Sequence, residues 1–234
     1  MTSQRWQVAD DFRDEGFVVL RSLADDTDVE RLRAAYEEVL AHGTSSGDRL
    51  LGGVTRQVMR PHAVHEVFRG NPVLDRAQRL AVDLLGGEVE FFFDMLIDKP
   101  AGHPHSTPWH QDMSYTAEPF APAGTQLAMG YVQFWVALDD VNAASGGMQF
   151  IPRRHRGAML EHFVVSGDPT DNGRLLAITE PHDVFDLASA VAPQLRPGDA
   201  TAHTYGTPHY TGPNVSDHQR RAYIFNFRLR AEAA

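Results

Sequence analysis

Three residues with metal-binding side chains are the part of this sequence best suited to chemistry. His110 and Asp112 are separated by one residue, and a second histidine, His209, follows much later in the chain. Two neutral imidazoles and one carboxylate can cover one face of a six-coordinate metal and leave the other face open, as in non-haem Fe(II) oxygenases. Arg220, beyond the last histidine, can pair with a carboxylate-bearing cosubstrate through two parallel hydrogen bonds.

The short spacing between the first two candidate ligands is weak evidence when taken alone. A His-x-Asp triplet is more often a pair of surface residues than a metal site. If residues 109–112 belong to a strand, however, His110 and Asp112 point to the same face, because side chains alternate along a strand. The imidazole and the carboxylate would then be within reach of one cation, and His209 would complete the set.

The segment after His209 predicts how an arginine reaches the same site. It contains a Gly-Pro-Asn turn at 212–214, which is followed by a strand pattern. A strand returning after this turn would place either Arg220 or Arg221 opposite His209. Both arginines remain candidates, because a shift of one residue in the strand register exchanges the two faces.

Helical patterns fill the N-terminal part of the chain, and strand patterns follow them. Helices are predicted at residues 5–15, from 26 or 27 to about 42, and over 72–85. Strands are predicted at residues 17–20, 89–97, 125–138, 147–151, 200–203 and 221–229. In the last strand, polar and apolar residues alternate in a pattern typical of half-buried strands. This order of elements favours an α+β fold or an all-β barrel supported by helices.

The length of 234 residues fits one domain of the larger all-β kind, or two small domains. We expect a single domain over residues 1–234, with helices in about 1–86 and the β core in about 87–234. Residues 157–190 lack strong periodicity. Because a long irregular segment in a compact domain is usually a lid or a binding loop, this segment is predicted to be a lid-like insertion.

Composition excludes several classes of function. The chain has no cysteine, which excludes disulfides, thiolate zinc sites and thiol nucleophiles. Its formal net charge of −10 argues against nucleic acids and anionic membranes as partners, and makes a cationic or neutral small substrate easy to accommodate. The sequence has no apolar run of about 18 residues and no basic leader followed by an apolar stretch. We therefore expect a soluble, cytoplasmic protein.

Several motifs together resemble the phytanoyl-CoA dioxygenase family of Fe(II)/2-oxoglutarate oxygenases. The similarity covers nearly the whole chain, and it is strongest at Trp109-His110-Gln111-Asp112 and His209-Tyr210-Thr211-Gly212-Pro213-Asn214. Further matching stretches are residues 12–20, 96–100, 134–141 and 145–152. The chain departs from the family at residues 152–155, where Pro-Arg-Arg-His replaces the usual Pro-Gly-Ser-His turn.

This resemblance implies a fold and a set of ligands. The fold would be mostly β with flanking α-helices, built on a double-stranded β-helix core of the jelly-roll or cupin type. His110, Asp112 and His209 would bind Fe(II). Arg220, assisted by Thr211, would hold the distal carboxylate of the cosubstrate 2-oxoglutarate, and O2 would be the second cosubstrate.

Two side chains on one strand face are further candidates for cosubstrate binding. Trp135 corresponds to the aromatic residue that lies next to the cosubstrate in the family. Gln133 shares its strand face, and a buried amide needs hydrogen-bond partners that a bound acid can supply. Residues 113–115 follow the first two ligands directly and are predicted to line the substrate side of the site.

The resemblance also implies a reaction class. Hydrogen abstraction from a small molecule would lead to hydroxylation, epimerisation or ring closure, and halogenation is not expected because Asp112 is present. Arginine outnumbers lysine by 20 to 1, as in GC-rich bacterial genomes. This bias favours a bacterial tailoring enzyme of secondary metabolites, such as a polyketide or glycoside of antibiotic biosynthesis. Two alternatives stay open: a redox-inert metal-binding jelly-roll isomerase or hydrolase, and a non-catalytic binding module.

Overall fold

The computed structural model describes residues 2–42, 48–116, 123–124, 126, 129–171 and 173–230. Within these ranges the helices are α1 (Thr2–Glu15), α2 (Asp26–His42), α3 (Glu66–Arg69), α4 (Pro72–Leu85) and α5 (Pro181–Val184). The strands are β1 (Phe17–Leu20), β2 (Asp48–Leu51), β3 (Thr55–Met59), β4 (Val89–Lys99), β5 (Thr107–His110), β6 (Tyr131–Ala137), β7 (Met148–Phe150), β8 (His162–Val164), β9 (Leu176–Ile178), β10 (Ala200–Thr204), β11 (His209–Thr211) and β12 (Arg220–Leu229).

Two antiparallel sheets face each other and form a jelly roll. Among the described residues, the larger sheet has the strand order β1-β10-β6-β12-β4-β3-β2, and the smaller sheet has the order β5-β11-β7. Trp135 and Ile224 of the larger sheet pack against Met148 and Phe150 of the smaller one. Strands that are distant in sequence, such as β6 and β12, become neighbours, as expected of a double-stranded β-helix. The predicted fold class is therefore confirmed.

Helices cover the outer face of the larger sheet. Helix α4 begins where the Asn71 side chain accepts a hydrogen bond from the Leu74 backbone nitrogen, and it ends at Gly86 in the left-handed region with φ 74°. Its buried residues join one hydrophobic core with those of the sheet, including Phe134, Phe225 and Phe227. No helix in the described part of the chain is long and apolar enough to cross a membrane.

Strand β12 is more deeply buried than its sequence pattern predicted. The alternation of residues such as Phe225, Asn226 and Phe227 was typical of a half-buried strand, but all three are at most 1% exposed. The reason is the central position of β12 between β4 and β6. Tyr223, Phe225 and Phe227 join the core under the helices, whereas Ala222 and Ile224 join the core between the sheets.

The strand pair β2–β3 was not predicted. Both strands are short, and β2 contains Asp48 and Arg49, so neither shows a clear apolar period. They extend the edge of the larger sheet through the pairing of β3 with β4. The region predicted as helical therefore also contributes to the β core. Strand β6 begins at Tyr131, later than the predicted start at residue 125, which lies outside the described residues together with 127–128.

The segment predicted as a lid-like insertion, residues 157–190, has local structure of its own. It contains the hairpin β8–β9 and the short helix α5. The Leu176 backbone nitrogen donates to the hydroxyl of Tyr115 at 2.9 Å, and the Gly52 nitrogen donates to the Gly173 carbonyl at 2.6 Å. The segment therefore contacts both the ligand-bearing region after β5 and the β2–β3 hairpin.

Gly146 fixes the loop that follows β11 and generates a test of the fold. At Gly146, φ is +73°, and an added Cβ would lie 2.5 Å from the Gly212 carbonyl oxygen and 2.9 Å from that of Pro213. Gly86 has a matching φ of +74° but no heavy atom within 4 Å of such a Cβ. We expect Gly86→Ala to cost about 1 kcal/mol, since only backbone strain is added.

Gly146→Ala adds a clash between backbone segments to the same strain. We therefore expect it to lower the free energy of unfolding by about 1–3 kcal/mol more than Gly86→Ala does. Urea unfolding followed by circular dichroism measures both variants. Equal losses in the two variants would show that the contact between Gly146 and residues 212–213 is not tight.

Candidate metal centre

Three side chains at one end of the smaller sheet, two from its strands and one from the turn after β5, converge on one point. His110 ends β5, Asp112 begins a 3-10 turn, and His209 begins β11, where it lies directly opposite His110 in the strand register. The three ligand atoms lie within 4.8 Å of one another. Asp112 Oδ1 is 3.6 Å from the Nε2 atom of each histidine, a separation expected of donors about 2 Å from one shared ion.

Backbone carbonyls set the orientation of both imidazoles. His110 Nδ1 donates to the Pro108 carbonyl at 2.7 Å, and His209 Nδ1 donates to the Thr207 carbonyl at 3.0 Å. With a proton on each Nδ1, the lone pair on each Nε2 is directed at the site, which is the form that ligates a metal. Burial lowers the pKa of His209 well below its usual value, so this imidazole stays neutral.

Two buried donors hold the second oxygen of the Asp112 carboxylate. Gln133 Nε2 lies 3.0 Å and His203 Nε2 lies 3.2 Å from Oδ2. Burial by itself raises the pKa of Asp112, but the neighbouring histidines, His209 first, outweigh it and hold that pKa well below the usual range. The carboxylate is therefore ionised, with Oδ2 occupied and Oδ1 left to face a cation.

The path by which these residues meet differs from the predicted one in two respects. Asp112 was expected on the same strand as His110, but β5 ends at His110 and the aspartate is delivered by the 3-10 turn. Either Arg220 or Arg221 was expected opposite His209 across a hairpin. Instead, β11 pairs with β5 and β7 while β12 pairs with β4 and β6, so both arginines lie in the sheet that faces the one with His209. The chain after β11 crosses between the sheets rather than turning back within one.

A cavity of about 440 Å³ lies between the sheets, with the three candidate ligands in its wall. Its described apolar lining comes from both sheets and comprises Leu51, Met59, Phe92, Phe93, Met95, Ile97, Trp135, Met148 and Ile224. Tyr115, from the stretch predicted to line the substrate side, is also in the wall, whereas Met113 and Ser114 are not among the lining residues. The size suits a small molecule together with a cosubstrate.

Arg220 presents a buried, unpaired positive charge to this cavity. It is 1% exposed, and its Nε, Nη1 and Nη2 atoms have no hydrogen-bond acceptor in the described part of the chain. Its guanidinium carbon lies 5.3 Å from the ring centre of Trp135. Burial lowers the pKa of Arg220 to about 10, so the side chain is still charged at neutral pH.

The neighbouring arginine has a different environment. Arg221 Nη2 lies 2.6 Å from Asp139 Oδ1, and Arg221 Nη1 lies 2.7 Å from Glu37 Oε1. The pair with Glu37 fastens β12 to α2, and the pair with Asp139 fastens it to the loop after β6. The alternation of side chains along β12 therefore points Arg220 into the cavity and Arg221 away from it.

Lys99, a residue that the sequence patterns did not single out, lies next to Arg220 in the strand register. It is fully buried, and its Nζ donates to Thr211 Oγ1 at 3.1 Å, to the Thr211 carbonyl at 3.5 Å and to the Gly212 carbonyl at 2.6 Å. Because the Thr211 hydroxyl accepts from the ammonium, its own proton is free to donate into the cavity. Thr211 and Arg220 thus present adjacent donors.

The comparisons with known proteins agree with this geometry. The family model for phytanoyl-CoA dioxygenase (PhyH) matches residues 12–222. The chain belongs to this family. Peroxisomal phytanoyl-CoA dioxygenase from Bos taurus is 26% identical over 167 residues, which cover 64% of this chain and 48% of the relative. The Mus musculus relative is 23% identical over 168 residues. The chain spans about half the length of these curated relatives.

Solved structures extend the similarity over the whole fold. EvdO2 from Micromonospora carbonacea var. aurantiaca, complexed with 2-oxoglutarate, is 30% identical with a TM-score of 0.79, and the match covers 97% of this chain and 92% of that one. The epimerase SnoN, in complex with Fe3+, alpha ketoglutarate and nogalamycin RO, is 24% identical with a TM-score of 0.77, over 98% and 85% of the two chains. SnoN therefore shares the jelly-roll fold.

This member of the phytanoyl-CoA dioxygenase family also contains site residues that sequence patterns missed. His203, which the sequence patterns did not single out, holds Asp112 from β10. The register of β10 against β6 is the feature that could have identified this residue, because it places His203 opposite Gln133. Arg49, Arg60 and Arg174 line the cavity as well and come from segments without a strong pattern.

Buried Lys99 predicts a specific dependence of stability on pH. Burial, with a further contribution from Arg220, lowers the pKa of Lys99 from 10.5 to about 7. Because the unfolded chain binds a proton more tightly than the folded protein, unfolding takes up a proton between these two pKa values. The free energy of unfolding therefore rises with pH through this window, by up to about 1.4 kcal/mol per pH unit.

The variant Lys99→Met removes the titrating group and keeps a side chain of similar length. We expect the difference in unfolding free energy between the parent and Lys99→Met to shift in favour of the parent from about pH 7 upwards. Urea unfolding at a series of pH values up to 9 gives the free energy of unfolding of both proteins. This range ends before the tyrosines titrate. Parallel curves for the two proteins would contradict a lowered pKa at Lys99.

Proposed function

We propose that this protein is a non-haem Fe(II)- and 2-oxoglutarate-dependent oxygenase that acts on a small molecule. One observation carries the proposal. A three-ligand cluster lines the same cavity as the Arg220 guanidinium, whose three nitrogens are buried without an acceptor in the described chain. Fe(II) fits the donor set, and a diacid fits the unpaired cation. Family membership and the 2-oxoglutarate complex of EvdO2, at 30% identity, support the same assignment.

In this proposal His110, Asp112 and His209 hold the iron on one side only. The two Nδ1 protons bonded to backbone carbonyls fix the imidazoles, and Asp112 contributes Oδ1 because Oδ2 is held. The positions opposite these ligands face the cavity. They are the positions that a chelating cosubstrate and O2 require.

Arg220 and Thr211 serve the distal carboxylate of 2-oxoglutarate. Arg220 supplies a full positive charge in a dry environment, and Thr211 supplies a hydroxyl proton because Lys99 already donates to its oxygen. Trp135 covers the guanidinium and closes that end of the cavity to water. Gln133, a candidate for cosubstrate binding from sequence, has its amide nitrogen committed to Asp112, so we assign it to holding the metal ligand.

Fe(II) held by these residues, together with 2-oxoglutarate and O2, would supply an oxidant able to remove a hydrogen atom from a substrate C–H bond, with succinate and CO2 as the products of the cosubstrate. The protein residues decide which C–H bond is nearest and keep water away. The outcome is hydroxylation, epimerisation or ring closure, according to how the apolar walls hold the substrate. We infer a bacterial secondary metabolite as substrate, in keeping with the arginine-rich composition and with EvdO2 from Micromonospora.

The cosubstrate assignment is tested by anaerobic binding. With Fe(II) and 2-oxoglutarate, the parent should give a weak visible charge-transfer band, and His110→Ala should give none. Arg220→Met keeps the metal ligands but removes the anchor for the distal carboxylate. The 2-oxoglutarate concentration that gives half of the maximal band intensity should therefore rise about tenfold or more. A visible titration measures both effects.

Arg221→Met is the matched control for Arg220→Met. Its guanidinium is paired with Asp139 and Glu37, so its loss should lower thermal stability and leave the 2-oxoglutarate affinity unchanged. Absence of the band in the parent, or an unchanged affinity in Arg220→Met, would contradict the proposal. Metal-dependent activity without 2-oxoglutarate and O2 would favour a redox-inert isomerase or hydrolase instead.

The role of Gln133 is tested by metal affinity alone. Gln133→Leu removes one of the two donors that hold Asp112 Oδ2, so Fe(II) binding should weaken about tenfold to a hundredfold. Gln57→Leu makes the same change elsewhere in the cavity wall, where the amide nitrogen donates to Met95 Sδ, and should leave Fe(II) affinity unchanged. Anaerobic competition with a chromophoric chelator gives both affinities. Equal effects of the two variants would refute a positioning role for Gln133.

A further inference from the structure

The charge of the cavity lining is opposite to that of the whole protein. The chain carries a formal net charge of −10. Among the described lining residues, however, Asp112 is the carboxylate, whereas Arg49, Arg60, Arg174 and Arg220 all bring guanidinium groups. Arg220 is assigned to the cosubstrate, which leaves a group of three arginines without a role in the proposed function.

The three arginines reach the cavity from three separate segments. Arg49 lies in β2, Arg60 follows β3, and Arg174 precedes β9 in the insertion. A close backbone contact brings the first and third segments together, because the Gly52 nitrogen donates to the Gly173 carbonyl at 2.6 Å. A Cβ on Gly173 would lie 2.3 Å from the Leu50 carbonyl oxygen, so this approach requires glycine.

Arg49 is held in a fixed orientation at the cavity wall. Its Nε donates to Gln57 Oε1 at 2.6 Å, and its Nη2 donates to Met59 Sδ at 3.5 Å. Burial lowers the pKa of Arg49 and the charge of Arg174 lowers it further, while Tyr115 and Asp171 act in the opposite direction. The guanidinium groups from the hairpin and from the insertion therefore lie close enough to influence each other, so an anion between them would contact both.

Arg60 adds a third cation under local backbone strain. It adopts the left-handed region with φ 56° and ψ 50°, which is uncommon for a residue with a long side chain. Its backbone nitrogen donates to the Asp94 carbonyl at 2.8 Å, which fixes this conformation. Its exposed guanidinium has neither a hydrogen-bond nor an ion-pair partner in the described part of the chain.

We propose that Arg49, Arg60 and Arg174 form an oxyanion subsite, and that the substrate presents a carboxylate or a phosphate to it. Guanidinium groups bind such anions through paired, charge-assisted hydrogen bonds. Between this subsite and the metal ligands the wall is apolar, with Phe93, Met95 and other side chains. The substrate class is therefore an apolar body that bears an oxyanion. This inference rests on the proposed function, and it replaces the cationic or neutral substrate suggested by the net charge alone.

Matched naphthyl probes test the subsite without the natural substrate. Naphthalene acetate and naphthyl phosphate carry an oxyanion on an aromatic body, and naphthalene acetamide carries none. The protein is loaded anaerobically with Fe(II) and 2-oxoglutarate, so that Arg220 is occupied, and is titrated with each probe in a calorimeter. We expect at least one anionic probe to bind about tenfold or more tightly than the amide. The tighter of the two anions identifies the group as carboxylate or phosphate.

Substitutions identify where the anionic probes bind. Arg60→Gln changes an exposed residue and should fold normally, and Arg49→Gln changes a half-buried member of the group. Each variant should bind the anionic probes about tenfold more weakly and bind the amide with unchanged affinity. The unchanged affinity for the amide also shows that the cavity is intact. Arg79→Gln, on an exposed position of α4 outside the cavity lining, removes the same charge and should alter neither affinity.

The outcomes separate this inference from the proposed function. The proposed subsite is wrong if the amide and both anions bind with equal affinity, or if both arginine variants keep the preference for anions. Either result can occur while the visible band is present, so it leaves the oxygenase assignment intact. Absence of the visible band contradicts the oxygenase assignment, and with it the identification of the oxyanion as a substrate group. A band together with an arginine-dependent preference for an anion supports both.

Discussion

Burial of the Arg220 guanidinium is the constraint on which the rest of the site depends. An ion removed from water costs several kcal/mol unless a partner compensates for its lost hydration. No described residue accepts a hydrogen bond from this side chain, and the Trp135 ring at 5.3 Å offsets only part of the cost. An anion that enters the cavity would supply the remainder. The folded protein should therefore be more stable with its cosubstrate bound, because the ligand binds only the folded state.

The two recognition elements belong to different sheets, and this separation has a structural consequence. His110 and His209 are neighbours in the smaller sheet, whereas Arg220 lies in β12 of the larger one. A diacid that chelates a metal at one end and pairs with a guanidinium at the other would span the gap between the sheets. A monoacid could satisfy one end only. In the proposed function, the jelly roll would favour a diacid such as 2-oxoglutarate because the partners of its two ends are carried by facing sheets.

Sequence patterns predicted the ligand types but not the contacts that position them. His110, Asp112 and His209 could be singled out because few residue combinations bind iron, and α2, α4 and β1 were predicted almost to their ends because caps and apolar periods are local signals. The pairing of His203 with Asp112 depends on the register of β10 against β6, which joins residues distant in the chain. The choice of Arg220 over Arg221 required the ion pairs to Asp139 and Glu37. Such long-range contacts leave no periodic trace.

The substrate class proposed from the cavity lining differs from the one that net charge suggested, and the difference has a physical reason. Exposed charges act over about 8 Å in physiological salt, so a net charge of −10 describes the outer surface and the approach of a ligand. Inside a partly dry cavity, screening is weaker and the nearest charges dominate. There the nearby guanidinium groups of Arg49 and Arg174 would act on a bound group more strongly than distant surface charges do. An anionic substrate would therefore meet weak repulsion as it approaches and strong local attraction once it is bound. This arrangement favours slow dissociation over fast association.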